Sequence, residues 1–289
     1  MVTIAAILAA LVAPANSSAA RVLLLKAADT PRLAQTLVAF RERAGVPVDV
    51  IEISGTRDDT LDRALAHGAK NTVIVALGPR ASDYVMRVQT SAPVVHCLAG
   101  PDALRAGLPS IPSDAPADLQ AQWLARLLPK ARTVGLLFDP AVNTRRVEAL
   151  AAALQGAGYR TLQKPVESPA ALPAALESLD GHVDALLAFP DPTVYTREAS
   201  RGLLLFSFRK GIPIVGPNEA WVRQGALFAV DWDYGEIGAA CAQLALTLSG
   251  APRAGAPPRP RVAVNLRSAA MFGIRWSPEL LRSVDSRHE

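Results

Sequence analysis

The sequence predicts an α/β fold built of two Rossmann-like parallel-sheet lobes joined by a multi-strand hinge. Three observations carry this. Short apolar runs alternate with stretches of helical periodicity along nearly the whole chain, as in βα units with right-handed crossovers. The series breaks once, at the Pro- and Ser-rich segment Leu108–Pro116 (LPSIPSDAP), and then restarts. At 289 residues, 50% of them hydrophobic, the chain is long for one domain and sufficient for two cores.

The first series opens with the apolar run Val22–Leu25, a buried strand. Pro31 starts a helix to Arg43, with Leu33, Leu37 and Phe40 near helical spacing. Strand Val48–Ile53 ends in Ser54-Gly55-Thr56, and a helix Asp58–Ala66 follows. Strand Thr72–Leu77 ends in Gly78-Pro79, with a helix from about Arg80 to Val88. Strand Pro93–Leu98 runs into Ala99-Gly100-Pro101-Asp102, and Leu108–Pro116 is the first crossing between lobes.

The second series begins with helix Ala117–Leu128, which places Leu119, Trp123 and Leu127 on one face. Strand Thr133–Phe138 is almost unbroken in its apolarity and is stopped by Asp139-Pro140. Asn143 or Thr144 is expected to cap the helix that follows. Then come strand Tyr159–Gln163, helix Pro169–Leu179, strand Val183–Phe189, helix Glu198–Lys210 and strand Ile212–Val215. A short helix Glu219–Arg223, strand Leu227–Asp231 and the apolar helix Glu236–Leu248 precede a linker, Ser249–Pro260. Strand Arg261–Asn265 and a helical region Ser268–Val284 around Gly273 close the chain. The expected organisation is residues 1–20 as a signal peptide, 21–116 with 232–260 as the first lobe, and 117–231 with 261–289 as the second.

The leader reading rests on the apolar run Thr3–Val12, too short to span a bilayer. It is followed by Pro14 and the small residues Asn16-Ser17-Ser18-Ala19-Ala20, with cleavage expected after Ala20. No basic residue precedes the run, and no cysteine near the cleavage point supplies a lipid anchor. The expectation is an exported, unanchored, periplasmic chain. Cys97 and Cys241 are the two cysteines. An oxidising compartment would let them pair, but each lies in its own apolar element, and two separate buried thiols is the preferred expectation.

The formal charge is +4 with arginines scattered, so neither a basic stripe nor interleaved aromatics point to nucleic acid. The chain has no G-x-G-x-x-G after a strand, no Walker loop and no G-x-S-x-G elbow. His67, His96, His182 and His288 are isolated from one another and from the cysteines, so no metal-ligand spacing arises, and His96 reads as a satisfied interior residue. No enzyme, no cofactor and no metal are expected. Polar clusters instead follow successive strands of the second lobe: Asp139–Thr144, Pro190–Thr193, Gly216–Glu219 with Trp221, and Asp231–Tyr234. Such edges of open α/β sheets bind ligands. Capping hydroxyls and helix N-termini suit a carboxylate, Asp191 or Asp231 an ammonium group, and Trp221, Trp232 and Tyr234 an apolar or cationic part. The candidate ligand contacts are Asn143, Thr144, Asp191, Thr193, Asn218, Asp231 and Trp232, with Gly78 and Ser54 from the first lobe.

The second half also resembles a known family. Val134-Gly135-Leu136-Leu137-Phe138-Asp139-Pro140 followed by Asn143-Thr144 is similar to its V-G-V-L-Y-N-P and N-S. Asp184-Ala185 leading to Asp191-Pro192-Thr193 matches its D-A strand ending in D-x-T, and Ile212-Pro213-Ile214-Val215-Gly216 matches its I-P-V-x-G. Gly225-Ala226-Leu227, Val230-Asp231-Trp232 and Ile237-Gly238 match G-A-L and V-D-Y-x-x-L-G. Leu248-Ser249-Gly250 and Val264-Asn265 through Ala269-Ala270 to Gly273-Ile274 complete the series. The chain resembles the ABC-transporter substrate-binding proteins of the type-I periplasmic fold, in the branch with tryptophan- and tyrosine-binding members. The first half carries less of the pattern, with Gly78-Pro79-Arg80-Ala81 where the family has G-T-x-A. The resemblance implies a monomer without catalysis. It also implies binding of a small polar, amino-acid-like ligand in the interlobe cleft and its delivery to an inner-membrane ABC permease. The alternative is a sensory or accessory periplasmic protein of the same fold that binds a protein partner.

Overall fold

A computed structural model describes residues 21–27, 30–54, 58–67, 71–88, 90–251 and 258–289. The expected leader with its cleavage site, the turn residues Gly55 and Thr56, the middle of the linker and the side chain of His67 lie outside the described residues. Helices α1 (Pro31–Ala44), α2 (Asp59–His67), α3 (Pro79–Val88) and α4 (Pro101–Arg105) alternate with strands β1 (Arg21–Lys26), β2 (Val48–Glu52), β3 (Thr72–Leu77), β4 (Val94–Ala99) and β5 (Ser110–Pro112). The series continues α5 (Ala117–Leu127), β6 (Thr133–Phe138), α6 (Pro140–Gly156), β7 (Arg160–Pro165), α7 (Leu172–Glu177), β8 (Ala185–Leu187), α8 (Arg197–Lys210), β9 (Ile214–Gly216) and α9 (Glu219–Gln224). It ends with β10 (Phe228–Trp232), α10 (Tyr234–Leu248), β11 (Pro260–Asn265), α11 (Leu266–Met271), α12 (Pro278–Arg282) and β12 (Ser286–His288). The chain forms two compact units, Met1–Asp114 with Trp232–Arg259, and Ala115–Asp231 with Pro260–Glu289.

The first unit is built on a five-stranded sheet in the order β2-β1-β3-β4-β5, with parallel pairing. Its central strands are buried except at Arg21, the start of β1, because helices cover both faces. The strand period of two sends alternate residues to opposite sides. Val22, Leu24, Val73 and Val75 join Phe40 of α1 and Ile237 and Ala242 of α10 in one core cluster. Leu23, Leu25, Ile74 and Ala76 join Leu61, Leu65, Ala81, Tyr84 and Val85 of α2 and α3 in another. Thr30 caps α1 by accepting from the Leu33 amide, Pro31 occupies its first turn, and Gly45 ends it at φ 61°.

Two contacts fix α10 on this unit. At Gly238 the helices lie so close that a Cβ would stand 2.3 Å from the Thr36 carbonyl oxygen and 2.9 Å from the Phe40 amide nitrogen. The second is a disulfide between Cys97 and Cys241, with a Cα–Cα distance of 5.8 Å. This corrects the expectation of two separate thiols. Each cysteine does lie in its own apolar element, but α10 packs on the face of β4 that carries Cys97, so both side chains enter one cluster and face each other at bridging distance.

The second unit carries a seven-stranded sheet in the order β12-β11-β10-β9-β8-β6-β7. Its core joins Val134, Leu136, Leu150, Leu186, Ile214, Phe228 and Val264. The helix after β6 differs from expectation. Asp139 caps it, accepting from the Ala141 amide, and Pro140 takes its first turn, so Asn143 and Thr144 sit inside the helix and do not cap it. The closing region is two short helices followed by β12, which pairs with β11 from Ala263↔Ser286 to Asn265↔His288. Strands of three residues, such as β5 and β12, give too little periodicity to be read from sequence.

Candidate ligand-binding edges

Each sheet has a topological switch point, where the chain leaves a first strand in one direction and later returns to its other side. In the first unit β1 pairs with β2 on one side and β3 on the other, so the switch lies between β1 and β3. In the second, β6 pairs with β7 and β8, and the switch lies between β6 and β8. Open α/β sheets hold ligands just beyond the carboxyl ends of the strands at such points.

At the second unit's switch point, Asp191 holds two loops together. Its Oδ2 accepts hydrogen bonds from the Asp139 amide at 2.8 Å and from Asn143 Nδ2 at 2.8 Å. Its Oδ1 accepts from the Thr193 and Val194 amides, both at 2.9 Å. A carboxylate offers about four acceptor positions, so these bonds occupy those with which Asp191 was expected to take a ligand ammonium. The residue is 5% exposed and Asn143 2%. Asn143 also donates to the Pro190 carbonyl, and its Oδ1 accepts from Arg146, which donates to the same carbonyl at 2.8 Å. The Thr193 hydroxyl donates to Asp139 Oδ2 at 2.6 Å. Sequence reading missed Arg146 and the part played by Asp139. The signal was present in the spacing, since Arg146 follows Asn143 by three residues on one helical face.

The remaining candidates of this unit are spread along its sheet. Thr144 is exposed and its hydroxyl donates back to the Pro140 carbonyl at 2.7 Å, a bond within α6. Asn218 caps α9 through the Trp221 amide. Trp221 is buried, edge-on to Tyr195 at 6.1 Å between ring centroids. Asp231 is half-buried near the end of β10. Trp232 and Tyr234, expected as stacking platforms, are 7% and 8% exposed and belong to the core of the first unit. There the Arg32 guanidinium lies 5.5 Å from the Tyr234 ring centroid.

At the first unit's switch point, Gly78 follows β3 with φ 93°, a conformation that favours glycine, and a Cβ there would lie 3.3 Å from Leu33 Cδ2. Its amide donates to the Cys97 carbonyl at 2.8 Å, and its carbonyl accepts from the Ser82 amide at 3.0 Å. Ser54, after β2, is exposed. The residue missed here is Lys26. It ends β1 in register with Glu52 of β2 and Leu77 of β3, and its Nζ lies 3.1 Å from Glu52 Oε2. Behind this edge Ser82 Oγ and His96 Nδ1 are 2.6 Å apart and fully enclosed, and burial lowers the histidine pKa below its ordinary value. His96 is thus a neutral, satisfied interior residue. Among the described residues, no group of three or more His, Cys, Asp or Glu side chains could hold a metal ion. Nor is any helix among them long and apolar enough to cross a membrane.

No curated protein matches the chain. Solved structures do, at identities that speak for the fold alone. An ABC domain from Streptococcus pneumonia in complex with L-Trp superposes with a TM-score of 0.67 at 20% identity, over 93% of this chain and 100% of that one. A substrate binding protein with adhesive properties from Clostridium difficile, in its ligand-free, open structure, gives 0.71 at 17% identity over 94% and 100%. A Caulobacter myo-inositol binding protein bound to myo-inositol gives 0.52 at 15% identity over 94% and 99%. The family described as ABC transporter substrate binding protein matches residues 61–287, well over half of the sequence. With two parallel α/β units and polar groups gathered at their switch points, the chain belongs to the ABC transporter substrate binding protein family.

Proposed function

We propose that this protein is exported, binds a small polar, amino-acid-like molecule at the carboxyl ends of its parallel strands, and delivers it to an inner-membrane ABC permease as a monomer without catalysis. The observation that carries the reading is the family match together with a polar network at the β6/β8 switch point, where Asp139, Asn143, Arg146, Asp191 and Thr193 are joined. In this reading Asp231 at the edge of the second unit's sheet, and Ser54 and Gly78 at the edge of the first unit's sheet, are the candidate ligand contacts. Asn143, Asp191, Thr193 and Asn218, whose side chains bond within the protein, shape the second unit's edge, while Trp232 packs in the core of the first unit. The disulfide supports an oxidising compartment such as the periplasm.

The family match begins at Leu61 and leaves β1, α1 and β2 outside it. The test is a thermal-shift panel of amino acids, small peptides, nucleosides, sugars and vitamins on the purified protein. At 100 times the dissociation constant a ligand adds about 2.7 kcal/mol, a rise of about 5–10 °C at this size. A flat panel on folded protein refutes transport of such solutes and transfers the reading to a sensory or accessory role with a protein partner.

A further inference from the structure

We propose that Lys26 and Glu52 form a charge-reading pair at the β1/β3 switch point, with Lys26 taking a ligand carboxylate and Glu52 a ligand ammonium. The ligand class is then a zwitterion of the amino-acid type and not a neutral polyol. This rests on the solute-binding reading above.

Lys26 follows four buried apolar residues in a strand of sequence RVLLLK and is itself 6% exposed. A leucine would fill such a position at no electrostatic cost, whereas burying a charged pair seldom stabilises a fold relative to apolar residues of similar volume. The lysine therefore calls for a reason beyond stability. Its side chain is 8% exposed and that of its partner Glu52 is 57% exposed, so the pair is sheltered at the ammonium and open at the carboxylate. The position is the last residue of the strand that borders the switch point, opposite Leu77, the residue before Gly78.

The surrounding backbone favours an anion at Lys26. The strands that border the switch point, β1 and β3, lead into α1 and α3, whose N-terminal ends carry partial positive charge toward the same sheet edge. Glu52 supplies the opposite sign at 3.1 Å from the ammonium. A zwitterion matches both charges at once. A simple carboxylate is repelled by Glu52 and a simple amine by Lys26. A polyol can donate to Glu52 and accept from Lys26, but it brings no opposite charge to either ion.

The experiment is isothermal calorimetry on the purified protein with three kinds of probe: the L-amino acids; the decarboxylated amine and the deaminated acid of whichever amino acid binds; and myo-inositol. Wild type, Lys26→Met, Lys26→Arg and Glu52→Gln are compared, with circular dichroism as the check on folding. Binding of an amino acid, with each singly charged analogue weaker by about 10–100-fold, is the expected result. Lys26→Met is expected to lose about the same factor and Lys26→Arg to keep most of the affinity. Should Lys26→Met not fold, Glu52→Gln decides, since its side chain is largely in water; it is expected to narrow the gap between the amino acid and its deaminated acid. Tight binding of myo-inositol overturns the zwitterion assignment and leaves the solute-binding reading intact. Equal binding of an amino acid by wild type, folded Lys26→Met and Glu52→Gln overturns the assignment to this pair. Binding of no probe at all overturns the zwitterion assignment, and the solute-binding reading is then decided by the wider thermal-shift panel.

Discussion

Replacing Gly238 by alanine is expected to destabilise the first unit, although the same change ordinarily strengthens a helix. In an exposed helix interior, Gly→Ala gains about 0.8–1 kcal/mol. At Gly238 the added Cβ would meet the Thr36 carbonyl oxygen at 2.3 Å, the Ala39 Cβ at 2.9 Å and the Phe40 amide nitrogen at 2.9 Å. Two of these are backbone atoms of α1, which cannot swing aside as a side-chain tip can. The two helices must separate by roughly 1 Å, loosening the contacts of Phe40, Ile237 and Ala242, which are all but fully buried. Overpacking of this kind costs ~1–3 kcal/mol, occasionally more, and lost dispersion adds to it. Set against the propensity gain, a net loss of about 1 kcal/mol remains, or roughly 2–4 °C in Tm. Gly202→Ala is the internal control: it lies within α8, and a Cβ there meets nothing within 4 Å. It is expected to stabilise the second unit by about 0.5–1 kcal/mol. Since two units need not unfold together, hydrogen exchange read by mass spectrometry on α1, α8 and α10 peptides is the suitable assay. Equal or greater protection of α1 and α10 in Gly238→Ala than in wild type would refute the close-packing argument.

Breaking the Cys97–Cys241 bond by the double alanine variant is expected to cost the first unit ~2–5 kcal/mol, because the bridge closes a loop with a sequence separation of 144 residues; a denaturation midpoint unchanged by substitution or reductant would contradict it. Asp191→Ala leaves two loop amides, the Asp139 amide and Asn143 Nδ2 without their acceptor and is expected to lower the stability of the second unit by ~2–4 kcal/mol. A ligand-only role for Asp191 would instead leave the melting temperature of the unliganded protein unchanged. For pH, burial holds the folded-state pKa of His96 below its ordinary value. At pH above about 6.5 neither folded nor unfolded chain binds this proton, and the group contributes nothing. As pH falls below 6.5 the unfolded chain takes up a proton that the folded one refuses, so stability declines by up to ~1.4 kcal/mol per unit until the folded pKa is reached. A pH series of melting temperatures between 5 and 7 should show this slope in wild type and lose it in His96→Gln. Glu219 behaves separately. Burial raises its pKa, but hydrogen bonds from Ser286 and His288 and the charge of Arg223 outweigh this and lower it. Its contribution is full above its ordinary carboxylate range and disappears only as pH falls through the lowered value, well below the histidine window.

The polar edge at β6 and β8 was legible from the sequence in location; its internal bonding was not. The segment Asp139–Thr144 stood out because an apolar strand stopped abruptly at Asp-Pro, and the structure does gather Asp139, Asn143, Asp191 and Thr193 at one sheet edge. The partners were not legible. Asp191 is 52 residues from Asp139, and only the pairing of β6 with β8 brings them together. Lys26 was passed over for a related reason. As a lone charge after an apolar run it reads as the strand's exit, and its burial follows from lying between β2 and β3, which sequence does not show. The aromatics erred in the other direction: Trp232 follows the polar residue Asp231, as a loop residue would, yet the chain passes there into the first unit, whose core takes the indole.

By itself the sequence determined the α/β class, the alternation of strands and helices, and the resemblance to substrate-binding proteins. These depend on local properties: apolar runs for strands covered on both faces, helical spacing for the segments between, and Pro, Gly, Asp and Asn where the chain turns. The tertiary structure alone decided which distant residues meet. It joined Cys97 to Cys241 by laying α10 on β4, took up the Asp191 carboxylate in two loops, sank Trp232 into a core and set Lys26 against Glu52. The physical reason is that periodicity records which face of an element is buried, while strand order and helix packing, which are non-local, fix what that face is buried against.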